Sequence, residues 1–492
     1  MRFHPPAIML LLCTIPVAIA AAIPTILKSI FFQVIALLRQ RSIKRRNGCQ
    51  NPPRYPHKDR IFGLDVFFQY KKAFQDRDFL DLNWRLFEKY GKTFQANRLG
   101  IRVIKTMDPE ITKFTHETYF EHFGAEKIRS GAEYLWGDGI TAVEGEKWAI
   151  RRKLIKPAFD VAHIANLQNR SLSVHVERLM QLIPRDGSTV DLMPLFRRLS
   201  LDTASGFIFG ESMNALSSAD SHQELLDAYF YAQRGSAVRL MLGPKLRFLH
   251  RDPKWWSDCD IVNKFLDERV GKAIARLQKD NVSTPPGEKA ATNDRLTLRF
   301  QIHNVFTPAH DGGAVTLSNA FFHLSRKSYA DSPITYELLM TFNYLKNVIR
   351  ETHRVTPQST LISRQCIKDV VFLRGGGEDG KAPLYVQKGD IIEMNFRCTL
   401  RDRNFWGEDA DEFRPERWDH LKPQWEYTPF GGGPRVCPGF CLVFAEVAYT
   451  MVTILREFEG LESRDYRPWT EESRATFMNL HEAKVALIPE LF

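Results

Sequence analysis

No disulfide framework can be read from this chain. Its seven cysteines (Cys13, Cys49, Cys259, Cys366, Cys398, Cys437 and Cys441) are odd in number and scattered, which favours a reducing compartment. Zinc-finger spacing, a basic-leucine pattern and an aromatic RNA-binding signature are all missing. The formal charge of +10 therefore points to an acidic partner or a membrane surface, and to no nucleic acid. The run Gly375-Gly376-Gly377-Glu378-Asp379-Gly380 lacks the Lys-Ser/Thr ending of a phosphate loop and sits in a polar stretch before a strand pattern. His116-Glu117 and Glu121-His122 do not form His-Glu-x-x-His and read as solvated helix residues. There is no internal repeat and no flavin-binding region.

Charge is absent from Ala7 to Leu27, and 21 residues at ~1.5 Å rise give about 30 Å, enough to cross a hydrocarbon core. A second apolar run, Ser29 to Leu38, precedes Arg39, Arg41, Lys44, Arg45 and Arg46, with only Arg2 before the span. The positive-inside bias then puts the C-terminal side in the cytosol. The competing reading is a cleaved signal peptide ending near Ala18-Ile19-Ala20. Under the anchor reading, the sequons at Asn169 and Asn281 stay unmodified. The expected organisation is an anchor over residues 1–38, a basic and proline-rich hinge over 39–60 (Pro52, Pro53, Pro56), and one catalytic domain over 61–492.

Short strands are expected at Thr93–Ala96 and Ile101–Lys105, then a helix start at Asp108-Pro109-Glu110. Helical patterns cover most of Trp148–Gln278, then Leu296–Arg326 with breaks at Pro308 and Gly312-Gly313, and Tyr336–Arg354. Asn281–Asp294 reads as a loop. Leu384–Phe396 reads as a strand pair around Lys388-Gly389-Asp390, and Phe440–Phe458 as a last apolar helix. With 44% hydrophobic residues and no compositional break after the hinge, the chain is expected to be mainly α with small β-sheets.

The strongest local signal is Phe430-Gly431-Gly432-Gly433-Pro434-Arg435-Val436-Cys437-Pro438-Gly439, a Gly/Pro-rich loop running into the apolar helix. A thiolate persists in positive potential, which Arg435, backbone N–H groups and the helix N-terminus can supply. The spacing Phe-x-x-Gly-x-Arg-x-Cys-x-Gly resembles the haem-ligand loop of the cytochrome P-450 family. The resemblance implies haem b ligated by Cys437, with Phe430 beside the sulfur and Arg435 on a propionate. It also implies a thiolate that pushes electron density onto iron. Three further matches follow the family's order: Trp148-x-x-x-Arg152, whose residues reach a propionate; Glu351-Thr352-His353-Arg354; and Phe413-Arg414-Pro415-Glu416-Arg417-Trp418. The last two imply a buried network of Glu351, Arg354 and Arg417, and Arg364 stands where the family often has another propionate-binding arginine. The anchor and hinge resemble those of endoplasmic-reticulum members. Phrases such as Tyr344-Leu345-Lys346-Asn347-Val348 resemble fungal alkane- and fatty-acid-hydroxylating ones.

The function implied is an NADPH-reductase-dependent monooxygenase acting on an apolar substrate, with substrate-facing residues expected around Phe120–Trp136 and Leu201–Leu240. Two features depart from the family. Where its oxygen-activating helix has Ala/Gly-Gly-x-Asp/Glu-Thr-Thr, this chain has Pro308-Ala309-His310-Asp311-Gly312-Gly313. Asp311 keeps the acid as proton relay, but glycines replace both alcohols, and Thr307 and Thr316 are not at the usual place. Lys327–Thr335 is short where the family places a helix and a connector. Two alternatives follow: a reductase-independent isomerase or dehydratase, and a degenerate haem-binding or structural membrane protein.

Overall fold

The computed structural model describes residues 27–28, 31–32, 34–125, 130–167, 171–218, 222–279, 294–326, 342–474 and 476–489. Residues 7–26, the two sequon asparagines, the loop 281–293 and the segment 327–335 lie outside the described residues. Among the described residues no helix is long and apolar enough to cross a membrane.

The chain forms two units. The smaller joins the described residues up to Pro52 to Val370–Val386. In it, residues 34–46 are helical, carrying the basic cluster. The chain then runs beside an antiparallel hairpin of β6 (Val370–Gly376) and β7 (Ala382–Val386), where Gln50 N–H donates to Pro383 O at 2.9 Å.

The larger unit spans Pro53–Asp369 and Gln387–Phe492. Its opening residues do not stand free as part of a hinge. Gln95 N–H donates to Pro53 O and Tyr55 N–H to Gln95 O, so proline's missing donor costs nothing at this sheet edge. The sheet order is β1-β2-β8-β5-β3, from Thr93–Arg98, Ile101–Thr106, Ile391–Asn395, Leu361–Cys366 and Phe123–Gly124. β2 and β8 are parallel and the other pairs antiparallel. The strand pair expected around Lys388–Asp390 is therefore not a hairpin: β7 pairs with β6, and β8 with β2 and β5. Period-two alternation marks strands but carries no information about partners. Farther on, β4 (Thr189–Asp191) and β9 (Phe458–Ser463) flank β12 (Lys484–Pro489), and β10 (Glu471–Ser473) pairs with β11 (Phe477–Asn479).

Helices α1 (Leu64–Asp76) and α2 (Phe79–Tyr90) pack beside the first strands, and α3 (Gly145–Ile155) carries Trp148 and Arg152. Four long helices follow: α4 (Leu192–Phe209), α5 (Gln223–Leu246), α6 (Pro253–Lys279) and α7 (Arg295–Leu324). α8 (Phe342–Val355) and α9 (Phe440–Glu457) complete the set. α7 is the spine. Asp294 caps it by accepting from Leu296 N–H and Thr297 N–H, and α4, α6, α8 and α9 all pack on it. Phe306, Val315, Leu317 and Phe321 are buried in the two apolar clusters it joins.

α7 runs unbroken through Pro308 and Gly312-Gly313, contrary to the breaks expected from the sequence. The propensity penalties, about 3 kcal/mol for Pro and about 1 for each Gly, are outweighed by burial along nearly the whole helix. Gly313 sits there for a steric reason. A β-carbon on it would lie 2.6 Å from Glu446 Oε2 of α9, whereas one on Gly312 would meet Gln358 Oε1 at 3.7 Å and Val443 Cγ2 at 3.9 Å, ordinary contacts. Gly313→Ala is therefore expected to lower stability by about 1–3 kcal/mol, as overpacking does. Gly312→Ala should be neutral or stabilising by up to about 1 kcal/mol. Thermal unfolding of the two variants side by side checks this.

Candidate active site

Beneath α7 lies a cavity of about 360 Å³, walled by residues from α3, α7, α9, β5 and the loop before α9. Six residues singled out in the sequence line it together: Trp148, Arg152, Arg364, Phe430, Arg435 and Cys437. Each is brought there by a different local device. Trp148 and Arg152 are one turn apart on α3; Arg364 lies on β5, paired with Ile392 of β8. In the loop, Gly431 and Gly433 take positive φ, and a β-carbon on Gly433 would collide with the His116 carbonyl at 2.0 Å. Cys437 N–H donates to Phe430 O at 3.0 Å, closing the loop on itself. The Phe430 ring packs against His353 at 4.9 Å and Phe440 at 6.3 Å.

The electrostatics differ from the sequence expectation in one respect. Arg435 is not the group acting on the thiol: its Nη2 donates to Val143 O at 2.7 Å and its guanidinium stacks over Trp148 at 4.9 Å. The cation whose field reaches Cys437 is Arg152. Burial pushes the Cys437 thiol up, opposed by the Gly439 backbone amide and by Arg152. A coordinating cation deprotonates a thiol outright, so burial is no obstacle to metal ligation.

Two histidines that the sequence gave no reason to select also form the wall, His116 and His353. The expectation that His116 is a solvated helix residue is overturned. It lies buried on a π-helical turn, Phe114–Thr118, with Nε2 lacking a hydrogen-bond partner. Burial first, then the charges of Arg364 and Arg435, lower it to about 3. Burial alone lowers His353 to about 4. Neither was marked by a motif role: α8 carries His353 to the wall, and the Phe114–Thr118 turn, packed against Gly433 of the loop, carries His116. Among the described residues no group of three or more His, Cys, Asp and Glu could hold a metal ion.

These residues fit a haem. Three guanidinium groups and an indole around one cavity suit the two carboxylates of the porphyrin edge, and the thiol in the cavity wall suits a ligand to its iron. Arg364 and Arg435 also face His116, whose Nε2 is buried in the cavity wall without a partner.

Asp311, the expected proton relay, is buried one residue behind the cavity-lining Gly312. Thr307 is turned away, with Oγ1 3.3 Å from His303 Nε2. Thr316 Oγ1 donates to Gly312 O at 2.8 Å, and Gln358 Nε2 donates to both Gly312 O and Thr316 Oγ1 at 2.7 Å. None of the described residues in 120–136 or 201–240 lines this cavity, contrary to expectation. Tyr229 of α5, for instance, is buried on α7 against His303 and His310, where it serves the core.

Glu351, Arg354 and Arg417 meet beside the cavity with 0%, 0% and 2% of their surfaces exposed. Arg354 Nε and Nη2 donate to the two Glu351 oxygens at 2.9 Å, and Arg417 Nε donates to Oε1 at 2.8 Å. Trp418 Nε1–H (3.0 Å) and Arg414 N–H (2.8 Å) complete the carboxylate's shell. Arg354 also donates to Leu400 O, Ala410 O and Glu412 O, so the network holds the segment preceding the Cys437 loop.

Glu446, against Gly313, gives a pH signature. Burial raises its carboxyl from 4.5 to about 7, the Ser200 hydroxyl at 2.5 Å pulling the other way. Between those values the fold holds a proton that the unfolded chain releases. Its contribution to stability is therefore full below 4.5 and lost as pH rises toward about 7. Glu446→Gln is expected to flatten that slope, read from urea midpoints on either side of the window.

A family model described as Cytochrome P450 matches residues 60–486. The chain is 35% identical over 483 residues to cytochrome P450 monooxygenase iccC of Talaromyces variabilis, covering 91% of this chain and 94% of that protein. It is 32% identical over 473 residues to cytochrome P450 monooxygenase apdE of Emericella nidulans, covering 91% and 90%. With a mainly helical fold and a cavity centred on one thiol, the chain belongs to the cytochrome P450 family. It is an oxidoreductase whose cofactor is haem, bound in this family through a thiolate.

Proposed function

We propose that this chain inserts one oxygen atom of O2 into an apolar organic substrate, with electrons from an NADPH-dependent reductase. The observation that carries the reading is the lining of one cavity, which brings together the Cys437 thiol, three arginines, an indole and apolar side chains such as Ile140, Val305, Ala309 and Ile362. Haem, when bound, supplies the oxygen-activating redox chemistry. With haem bound, Cys437 would ligate the iron; Trp148, Arg152, Arg364 and Arg435 would hold the propionates; Phe430 would shield the sulfur; Glu351, Arg354 and Arg417 keep the loop in register. The apolar wall excludes water and accepts a hydrocarbon surface. A fatty acid or alkane suits such a wall, and that narrower reading rests on sequence phrases such as Tyr344–Val348. An acidic reductase surface suits the net charge of +10.

Placement at the cytosolic face of the endoplasmic reticulum is supported by the uncharged residues 7–27 and the basic cluster after them. It is also supported by Val34, Ile35, Leu37 and Leu38, which are exposed on the helix that carries that cluster. A glycan on Asn169 or Asn281 would overturn it.

The test is the reduced, carbon-monoxide-treated difference spectrum of the purified protein. A thiolate-type Soret band is expected; folded, haem-loaded protein without one sinks the reading. Gly312-Gly313, without a helix alcohol, favours a second reading, reductase-independent rearrangement of an oxygenated substrate. Hydroperoxide turnover in the absence of NADPH separates the two.

A further inference from the structure

The alcohols missing from α7 leave a specific gap: the buried acid Asp311 has no neighbouring hydroxyl on its own helix that faces the cavity. Thr316 and Gln358 are committed to the Gly312 carbonyl, and Thr307 is turned toward His303. One hydroxyl does meet both requirements, and it comes from another element. Thr476, in the turn between β10 and β11, lines the cavity and donates from Oγ1 to Asp311 Oδ2 at 2.9 Å. The second carboxylate oxygen, Oδ1, is buried without a partner.

The turn is anchored where the pairing needs it. Phe477 N–H donates to Gln358 O at 2.9 Å, so the strand after Thr476 is tied to the segment whose side chain pins Gly312. Arg474 N–H donates to Thr476 O at 2.9 Å, closing the turn, and the Asp311 carboxylate acts on the Arg474 guanidinium. The acid and its alcohol are thus adjacent in space and 165 positions apart in sequence.

We infer that Thr476 is the proton-relaying alcohol of this enzyme, paired with Asp311 across two elements in place of a neighbouring residue on one helix. This rests on the monooxygenase reading above. The step moves one proton and no electron. In the relay the Thr476 hydroxyl turns from Asp311 Oδ2 toward a water in the cavity, releasing its proton to that water as its oxygen accepts one from the Asp311 carboxyl, the reverse of the hydrogen bond in the resting structure. One O–H bond forms on Thr476 as another breaks, and Asp311, left as carboxylate, is reloaded from solvent. General acid–base groups held this way contribute on the order of 10²–10⁴ in rate.

The experiment uses the full-length, haem-loaded protein, with carbon monoxide as a probe of the cavity and hydrogen peroxide with guaiacol as a substrate-independent assay. In Thr476→Val the infrared C–O stretch of the reduced carbonyl complex is expected to shift, and Asp311→Asn to shift it likewise. Guaiacol oxidation should fall on the order of tenfold to a hundredfold in each, with the double variant no worse than either single one, because the two side chains act as a unit. Thr476→Ser should keep the parent C–O stretch and most of the rate. Gly312→Thr, added to Thr476→Val, should return part of the rate by restoring a hydroxyl on α7. A merely structural hydrogen bond would lower thermal stability and leave both the C–O stretch and the guaiacol rate unchanged, which overturns the inference. Failure of both Thr476→Val and Thr476→Ala to load haem marks the bond as structural and overturns it too. Absence of a thiolate-type Soret band in the parent protein overturns the monooxygenase reading instead.

Discussion

Cys437→Ser is expected to abolish the thiolate-type Soret band of the reduced carbonyl complex and, with it, all measurable turnover. The serine oxygen is a harder ligand, and its hydroxyl stays protonated where the thiol can be displaced to a thiolate by a metal cation. The fold should hardly notice. The loop is closed by main-chain bonds, Cys437 N–H to Phe430 O and Val436 N–H to Gly433 O, which a serine keeps. Circular dichroism and the unfolding midpoint should therefore stay close to the parent while the spectrum changes completely. Cys441, the second residue of α9 and absent from the cavity wall, is the internal control: Cys441→Ser should leave the band intact. A thiolate band surviving in Cys437→Ser would transfer the ligand to another cysteine and undo the assignment of the whole loop.

Arg354→Ala is expected to destabilise the protein by about 3–5 kcal/mol, the cost of leaving a buried charge uncompensated. Glu351 would keep its carboxylate at 0% exposure and lose two of its donors, while three backbone carbonyls, those of Leu400, Ala410 and Glu412, would lose theirs. Glu351→Ala should be as severe, since it strands two guanidinium groups at once. The contrast is the exposed pair Arg85–Asp78, at 53% and 42% side-chain exposure, whose removal should cost about 1 kcal/mol or less. Urea unfolding of the three variants checks the ordering. Haem retention on gel filtration gives a second readout, because the network holds the chain leading into the Cys437 loop. An Arg354→Ala protein with parent stability and full haem would reduce the network to a packing detail.

Much of the site was legible because its chemistry is carried by short, local patterns. A glycine-rich loop around one cysteine, Trp and Arg one helical turn apart, and Glu and Arg on one helix face each encode their own geometry within a few residues. Strands at Thr93 and Ile101 and the helices from Trp148 onward were legible for the same reason: period two and period 3.6 are properties of neighbouring positions. The sequence was a poor guide wherever a partner lies far along the chain. The alternation around Lys388 marked two strands but could not show that they join different sheets. Pro308 and the two glycines marked a helix break by propensity, and burial of α7 on several sides reversed it.

The sequence by itself picked out Cys437, the charged residues around it and the family, since each resides in residues close together on the chain. Only the tertiary structure decided which charge acts where: Arg152 rather than Arg435 reaches the thiol, and His116 enters the wall with a ring held neutral by burial first and by two arginines after it. It also decided what the two glycines of α7 mean. Gly313 makes room for Glu446, and the hydroxyl that its neighbour lacks is met from the β10–β11 turn. Folding brings Thr476 onto Asp311 through strand pairing, and no local pattern encodes a contact of that range.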